Sequence, residues 1–148
     1  EPFKHFGIDE AIFAALEKEV RLKGGGRIFI EETKAFVAVD VDTGDDRGNG
    51  SISRLNEEAA IEIARQIRLR NLSGKIIVDF AGSSEYRYMK PVLEVLEREV
   101  AKDPIRTHVV GLSRAGNVEI IRLRRRPSLS DVMSVECPTC KGTGRVEK

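Results

Sequence analysis

Residues 34–42 read KAFVAVDVD and residues 75–80 read KIIVDF. In the first stretch Val37, Val39 and Val41 point one way, while Phe36, Ala38, Asp40 and Asp42 point the other, as on a strand with one covered face. The second is a short, nearly continuous apolar run, typical of a strand covered on both sides. Between them Leu55, Ala59, Ile63, Ile67 and Arg70 recur at helical spacing. Ser53 is the expected cap of that helix and Gly74 its expected stop. Strand, helix and strand form a βαβ unit, whose two strands run parallel.

Outward from this unit, residues 8, 11, 12, 15, 16 and 20 make an apolar stripe that predicts one helix over 8–22, stopped by Gly24, Gly25 and Gly26. Residues 27–31 read as a strand joined to the next by a short polar turn. A loop rich in Gly, Asp and Asn follows over 43–50. Ser84 is the expected cap of a further helix, closed before Pro104. Residues 106–112 and 117–123 predict a strand pair around the turn Arg114-Ala115-Gly116. From Arg124 onward the chain is basic and aperiodic, which predicts a linker ending in a CxxC segment. The expected fold is α+β, α/β-like in its centre, with helices packed on a mixed sheet.

The 148 residues can bury about 68–70% of their unfolded surface, so a core needs neither disulfide nor metal. With 41% apolar and 33% charged residues, a disordered tail is excluded. No apolar run approaches the ~18–20 residues of a membrane span, and no signal peptide opens the chain. Glu1 in place of Met predicts an excised segment. The net charge is only +1, so bulk attraction to a polyanion is not indicated, yet the charges are segregated. Residues 31–46 hold six acids and one base; residues 105–126 hold six arginines and one acid. A metal site beside a phosphate track fits this pattern, as do two solvated faces.

Asp40 and Asp79 give the first alternative a mechanism. Each lies near the carboxyl end of its strand, where open α/β sheets place their ligands. Strands lie ~4.8 Å apart, so two aspartates at one level can converge on an ion, with Asp42 ~7 Å further along. Clustered carboxylates without His or Cys suit a hard cation, Mg²⁺ or Mn²⁺. The bland alternative is that each caps a turn or meets a surface arginine.

Cys137 and Cys140 stand in C-P-x-C-x-G-x-G, a pattern whose glycines let amides turn toward thiolates. Zinc takes four ligands and this chain offers two, because His5 and His108 show no ligand spacing to the pair. Half a site implies a symmetric dimer sharing Zn²⁺; a free dithiol is the alternative. Cysteine usage predicts a reducing, cytoplasmic location.

The stretches AVDVDTG, NEEAAIEIARQIRLRNLSGKIIVDF, SRAGNVEIIRLR, PSL and CPTCKGTG occur in the order found in the ribonuclease E/G family, which the chain resembles over nearly its whole length. The opening FKHFGIDEAIFAALEKEVRLKGGGRIFIEET resembles the segment before that family's metal site. The resemblance implies that 1–26 end an RNase H-like subdomain, 27–126 form the DNase I-like catalytic subdomain, and 127–148 form a linker and zinc-link. It implies an endoribonuclease that hydrolyses single-stranded RNA with Mg²⁺ on Asp40 and Asp79, leaving a 3′-hydroxyl. It further implies that Cys137 and Cys140 hold Zn²⁺ in a homodimer or higher oligomer. Arg114, in the family's Ser-Arg-x-Gly turn, and Arg122 and Arg124 are the expected RNA contacts.

Three departures stand out. Asp42, expected with Asp40 and Asp79 as a third residue of the Mg²⁺ site, occupies a position where the family usually has Asn and adds a charge there. No second acid follows Phe80, and the loop after Asp42 is shorter and more acidic. The S1 domain and 5′-end pocket that the family carries upstream are not visible here, and with 5% aromatics and no Trp, base-stacking platforms are scarce. The rival expectation is a non-catalytic RNA-binding or zinc-mediated dimerisation module with vestigial acids.

Overall fold

The computed structural model describes residues 2–44, 51–82 and 84–148, so residues 45–50 of the loop expected over 43–50, and Ser83, lie outside the described residues. The elements are α1 Pro2–His5, α2 Ile8–Leu16, β1 Glu19–Arg21, β2 Arg27–Glu32, β3 Val37–Asp42, α3 Ile52–Leu69, β4 Gly74–Asp79, α4 Tyr86–Val100, β5 Thr107–Leu112, β6 Val118–Arg122 and α5 Leu129–Met133. Six strands form one sheet in the order β1-β2-β3-β4-β6-β5. β3 and β4 pair in parallel, as a βαβ unit requires, and the other pairings are antiparallel. The fold is therefore α+β with a mixed sheet.

The core lies between the sheet and the two long helices. Val37, Val39 and Val41 of β3 and Ile76 and Val78 of β4 are buried, as are Ala59, Ile63 and Ile67 of α3 and Val92, Leu96 and Val100 of α4. Burying each of the larger side chains contributes about 1.5–3 kcal/mol. The other sheet face carries Asp40, Asp79 and the half-exposed Phe36 and Ile121, so the acids stand on the side that the core does not need.

Several local expectations change. The stripe over 8–22 is not one helix: α2 ends at Leu16, and Glu19–Arg21 forms an edge strand registered on β2, with Glu19 opposite Phe29. Val20 fits a helical stripe and a strand alike, and the glycines settle the matter. Gly25 and Gly26, at φ 96° and 79°, close a hairpin in which the Leu22 amide donates to Gly26 O at 3.1 Å. Ser51, not Ser53, caps α3, its Oγ accepting from the Arg54 amide at 3.2 Å. That helix stops before Gly74: Asn71 takes the left-handed conformation (φ 49°), and the amides of Asn71 and Leu72 bond Arg68 O and Ile67 O. Glu85, not Ser84, precedes α4. Inside the expected linker, Ser128 and Asp131 form a reciprocal capping box that starts α5, a helix too short to show a period. The Leu129 amide donates to Arg70 O at 2.9 Å and Asn71 Nδ2 to Pro127 O at 2.8 Å, which docks this segment on the end of α3.

Candidate functional site

The β3–β4 register pairs Asp40 directly with Asp79, three ladder steps from the Val37–Ile76 pair. Parallel neighbours lie ~4.8 Å apart, so the two carboxylates leave the same face at the same level. Both line an open groove of about 210 Å³ floored by Phe29, Phe36, Ala38 and Ile77, with Glu31 on its wall. The Asp40 carboxyl is held above the usual carboxylate range, first by burial, then by the charges of Asp79 and Asp42. Among the described residues neither Asp40 nor Asp79 is tied to an arginine or lysine. Two facing carboxylates that repel, neither paired with a basic side chain among the described residues, form an oxygen donor set that suits Mg²⁺ or Mn²⁺, ions that keep several waters.

Asp42 behaves differently. Its Oδ1 accepts from the Gly44 amide at 2.9 Å and its Oδ2 faces Arg27 Nε at 3.5 Å. Among the described residues no group of three or more His, Cys, Asp or Glu side chains is close enough to cage a metal. The structure thus brings Asp40 and Asp79 together and engages Asp42, the expected third metal residue, elsewhere.

A residue that the sequence reading missed holds Asp79's end of the sheet. Asn56, buried on α3, donates from Nδ2 to Ala81 O at 2.9 Å and accepts at Oδ1 from the Ala81 amide at 3.1 Å. This two-bond clamp fixes the backbone two residues past Asp79, and unsatisfying either buried partner costs about 1–3 kcal/mol. The available signal was a polar side chain inside the buried stripe 56, 59, 60, 63, 64, 67.

The three arginines separate. Arg114 is exposed in the β5–β6 turn, at the same rim as Asp79, since Val118 at the start of β6 pairs with Val78. Arg124 is exposed beyond the other end of β6, where Arg122 pairs with Gly74. It therefore stands at the opposite end of β4, about five steps of ~3.3 Å from the acids. Arg122, expected to contact RNA, is instead internal: its side chain is 3% exposed and its Nε pairs with Asp103 at 2.8 Å. Its Nη1 donates to Asn71 Oδ1 at 2.8 Å and to Leu72 O at 2.9 Å, so its guanidinium is committed to the fold.

In the tail the amides of Cys140 and Thr139 hydrogen-bond the Cys137 sulfur and hold its thiol below the usual range. The Lys141 amide donates to Cys137 O at 2.8 Å, and Lys141 and Gly142, both at positive φ, turn the chain after the pair. Both cysteines are free thiols, so the donors of half a tetrahedral zinc site are present. Among the described residues no helix is long and apolar enough to cross a membrane.

The sequence model of the Ribonuclease E/G family matches residues 1–125. Ribonuclease G of Escherichia coli (strain K12) is 42% identical over 149 residues, covering 98% of this chain and 30% of that protein. Ribonuclease G of Haemophilus influenzae is 40% identical over 98% of the chain. Ribonuclease E of Escherichia coli (strain K12) is 39% identical over 97% of this chain and 14% of its own length. The chain thus spans less than a third of these relatives, and identity at this level over its whole fold has one reading: it belongs to the ribonuclease E/G family.

Proposed function

We propose that this chain is the catalytic subdomain of an endoribonuclease that hydrolyses single-stranded RNA with Mg²⁺ or Mn²⁺ held by Asp40 and Asp79. The observation that carries the reading is the register of β3 on β4, which sets the two carboxylates side by side at one rim of the sheet, neither of them paired with a basic side chain among the described residues. A divalent ion there supplies Lewis acidity and neutralises charge on a phosphodiester. The chain's own contribution is positional. The strands fix the spacing of the acids, Asn56 fixes the turn that follows Asp79, and the exposed Arg114 at the same rim offers a guanidinium to a flanking phosphate. Chelation with EDTA should abolish cleavage of a fluorescent single-stranded oligoribonucleotide by the full-length parent, and added Mg²⁺ should restore it. Cleavage that persists in chelator overturns the ion's role.

The tail supports a second element of the proposal, a zinc-link. Two thiols primed by backbone amides, with no other ligand beside them among the described residues, are completed by the same pair from a second copy. The thiols must stay reduced, which suits the cytoplasm. Native mass spectrometry should show a dimer with one zinc per two chains, converted to monomer by chelation. A monomer that holds a zinc of its own excludes the shared site.

A further inference from the structure

A cation of β2 faces the acid rim across the sheet. Arg27 of β2 stands opposite Asp42 in the β2–β3 ladder, with its Nε 3.5 Å from Asp42 Oδ2 and its Nη1 3.5 Å from Glu19 Oε1. The guanidinium also lies over the Phe29 ring, 5.5 Å from the centroid, which fixes its plane. Its Nε is buried without a hydrogen bond among the described residues, and the carboxylate it faces is Asp42. Asp42 in turn has its other oxygen on the Gly44 amide. One oxygen is therefore held by backbone and the other faces a permanent positive charge.

We infer that Arg27 is a positioning residue for the acid pair: it offsets the charge of Asp42 and holds that carboxylate back, so that two carboxylates and not three set the coordination of the ion. The inference rests on the reading of Asp40 and Asp79 as ion ligands and adds to it the residue that limits their number. The physical reason is a balance between affinity and reactivity. A third carboxylate binds a divalent cation more tightly, but it displaces a water and spends the ion's charge on the protein, leaving less for the developing charge on phosphate. Arg27 removes that option without removing Asp42, whose Oδ1 still shapes the turn at Gly44.

The test is Mn²⁺ binding by the 148-residue chain, read by electron paramagnetic resonance as affinity and as the number of waters on the bound ion. A unit charge roughly 8 Å from a divalent ion in water-like surroundings changes its affinity about fivefold. Asp42→Asn should therefore weaken Mn²⁺ about fivefold with no change in water count, because Asp42 is not a ligand. Arg27→Met should tighten Mn²⁺ by more than that fivefold and cost one water, because the released carboxylate joins the ion. Arg27→Lys should keep the original water count. Adding Asp42→Asn to Arg27→Met should return the count to its original value, a recovery that a loss of fold would not produce. Asp79→Asn separates the two levels of the argument. If it leaves Mn²⁺ affinity unchanged, the ion site falls and this inference falls with it. If it weakens binding while Arg27→Met alters neither affinity nor water count, or while Asp42→Asn gains a water, only the role of Arg27 is overturned.

Discussion

Asp79→Asn in the full-length parent should lower Mg²⁺-dependent cleavage of single-stranded RNA by about a hundredfold or more, because metal stabilisation of phosphodiester hydrolysis is worth several kcal/mol. Asn has the shape of Asp but lacks the charge that draws a hard cation. The substitution should not disturb the fold. Asp79 is exposed at the last position of β4, outside the buried core, and losing its charge relieves the repulsion that raises Asp40. Initial rates at saturating Mg²⁺, beside a melting curve, check both halves. Undiminished cleavage by a folded Asp79→Asn protein would falsify the catalytic assignment.

The second large effect concerns stability. Arg122→Met should destabilise the protein by about 3–5 kcal/mol, the cost of stranding one partner of a buried ion pair. For a domain of this size that lowers the melting temperature by roughly 6–20 °C. The Asp103 carboxylate left behind is 1% exposed, and among the described residues Arg122 is the basic side chain paired with it. Burial alone would raise its pKa, but the hydrogen bonds from Arg122, the Ile105 amide and Thr107 outweigh burial and hold it below the ordinary 3.8. A native pKa depressed below the unfolded one means that the stabilisation is fully present above about pH 3.8 and fades as pH falls through the lower native value. Denaturant melts should accordingly show a large gap between the wild-type protein and Asp103→Asn at pH 7, and a smaller gap near pH 3. Equal stabilities at pH 7 would remove the pair from the structural account.

How much of this was legible beforehand differs from element to element. The alternation in residues 37–42 and the continuous run in 75–80 carried the βαβ unit, and strand-end logic then brought Asp40 and Asp79 to one rim. Period two also carried a signal that went unused: Val118, Ile120 and Arg122 share a phase, so Arg122 points into the core with its two apolar neighbours. Its partner Asp103 lies nineteen residues away, and no local pattern links the two. Residues 17–22 misled because Val20 satisfies a helical stripe and a strand equally, and only the hairpin at Gly25 and Gly26 decides between them. Arg27 facing Asp42 depends on the register of β2 on β3, which is set at their connecting turn by the Thr33 amide bonding Phe36 O at 3.1 Å. Such cross-strand neighbours exist only once a turn has been closed, so composition could report the acid excess but not its counter-charge.

The docked segment that carries α5 has a consequence for assembly. Because Leu129 and Pro127 are pinned to the end of α3, the cysteines hang from a lever of only a few residues, and Cys137 can stray at most ~14 Å from Met133. Two copies clasped through that lever would meet by the ends of their sheets remote from the acids, with a spacing set by the docked segments and not by long free linkers. A transcript seized by one copy would then present its neighbouring segments to the other at a high effective concentration, with no further contact required.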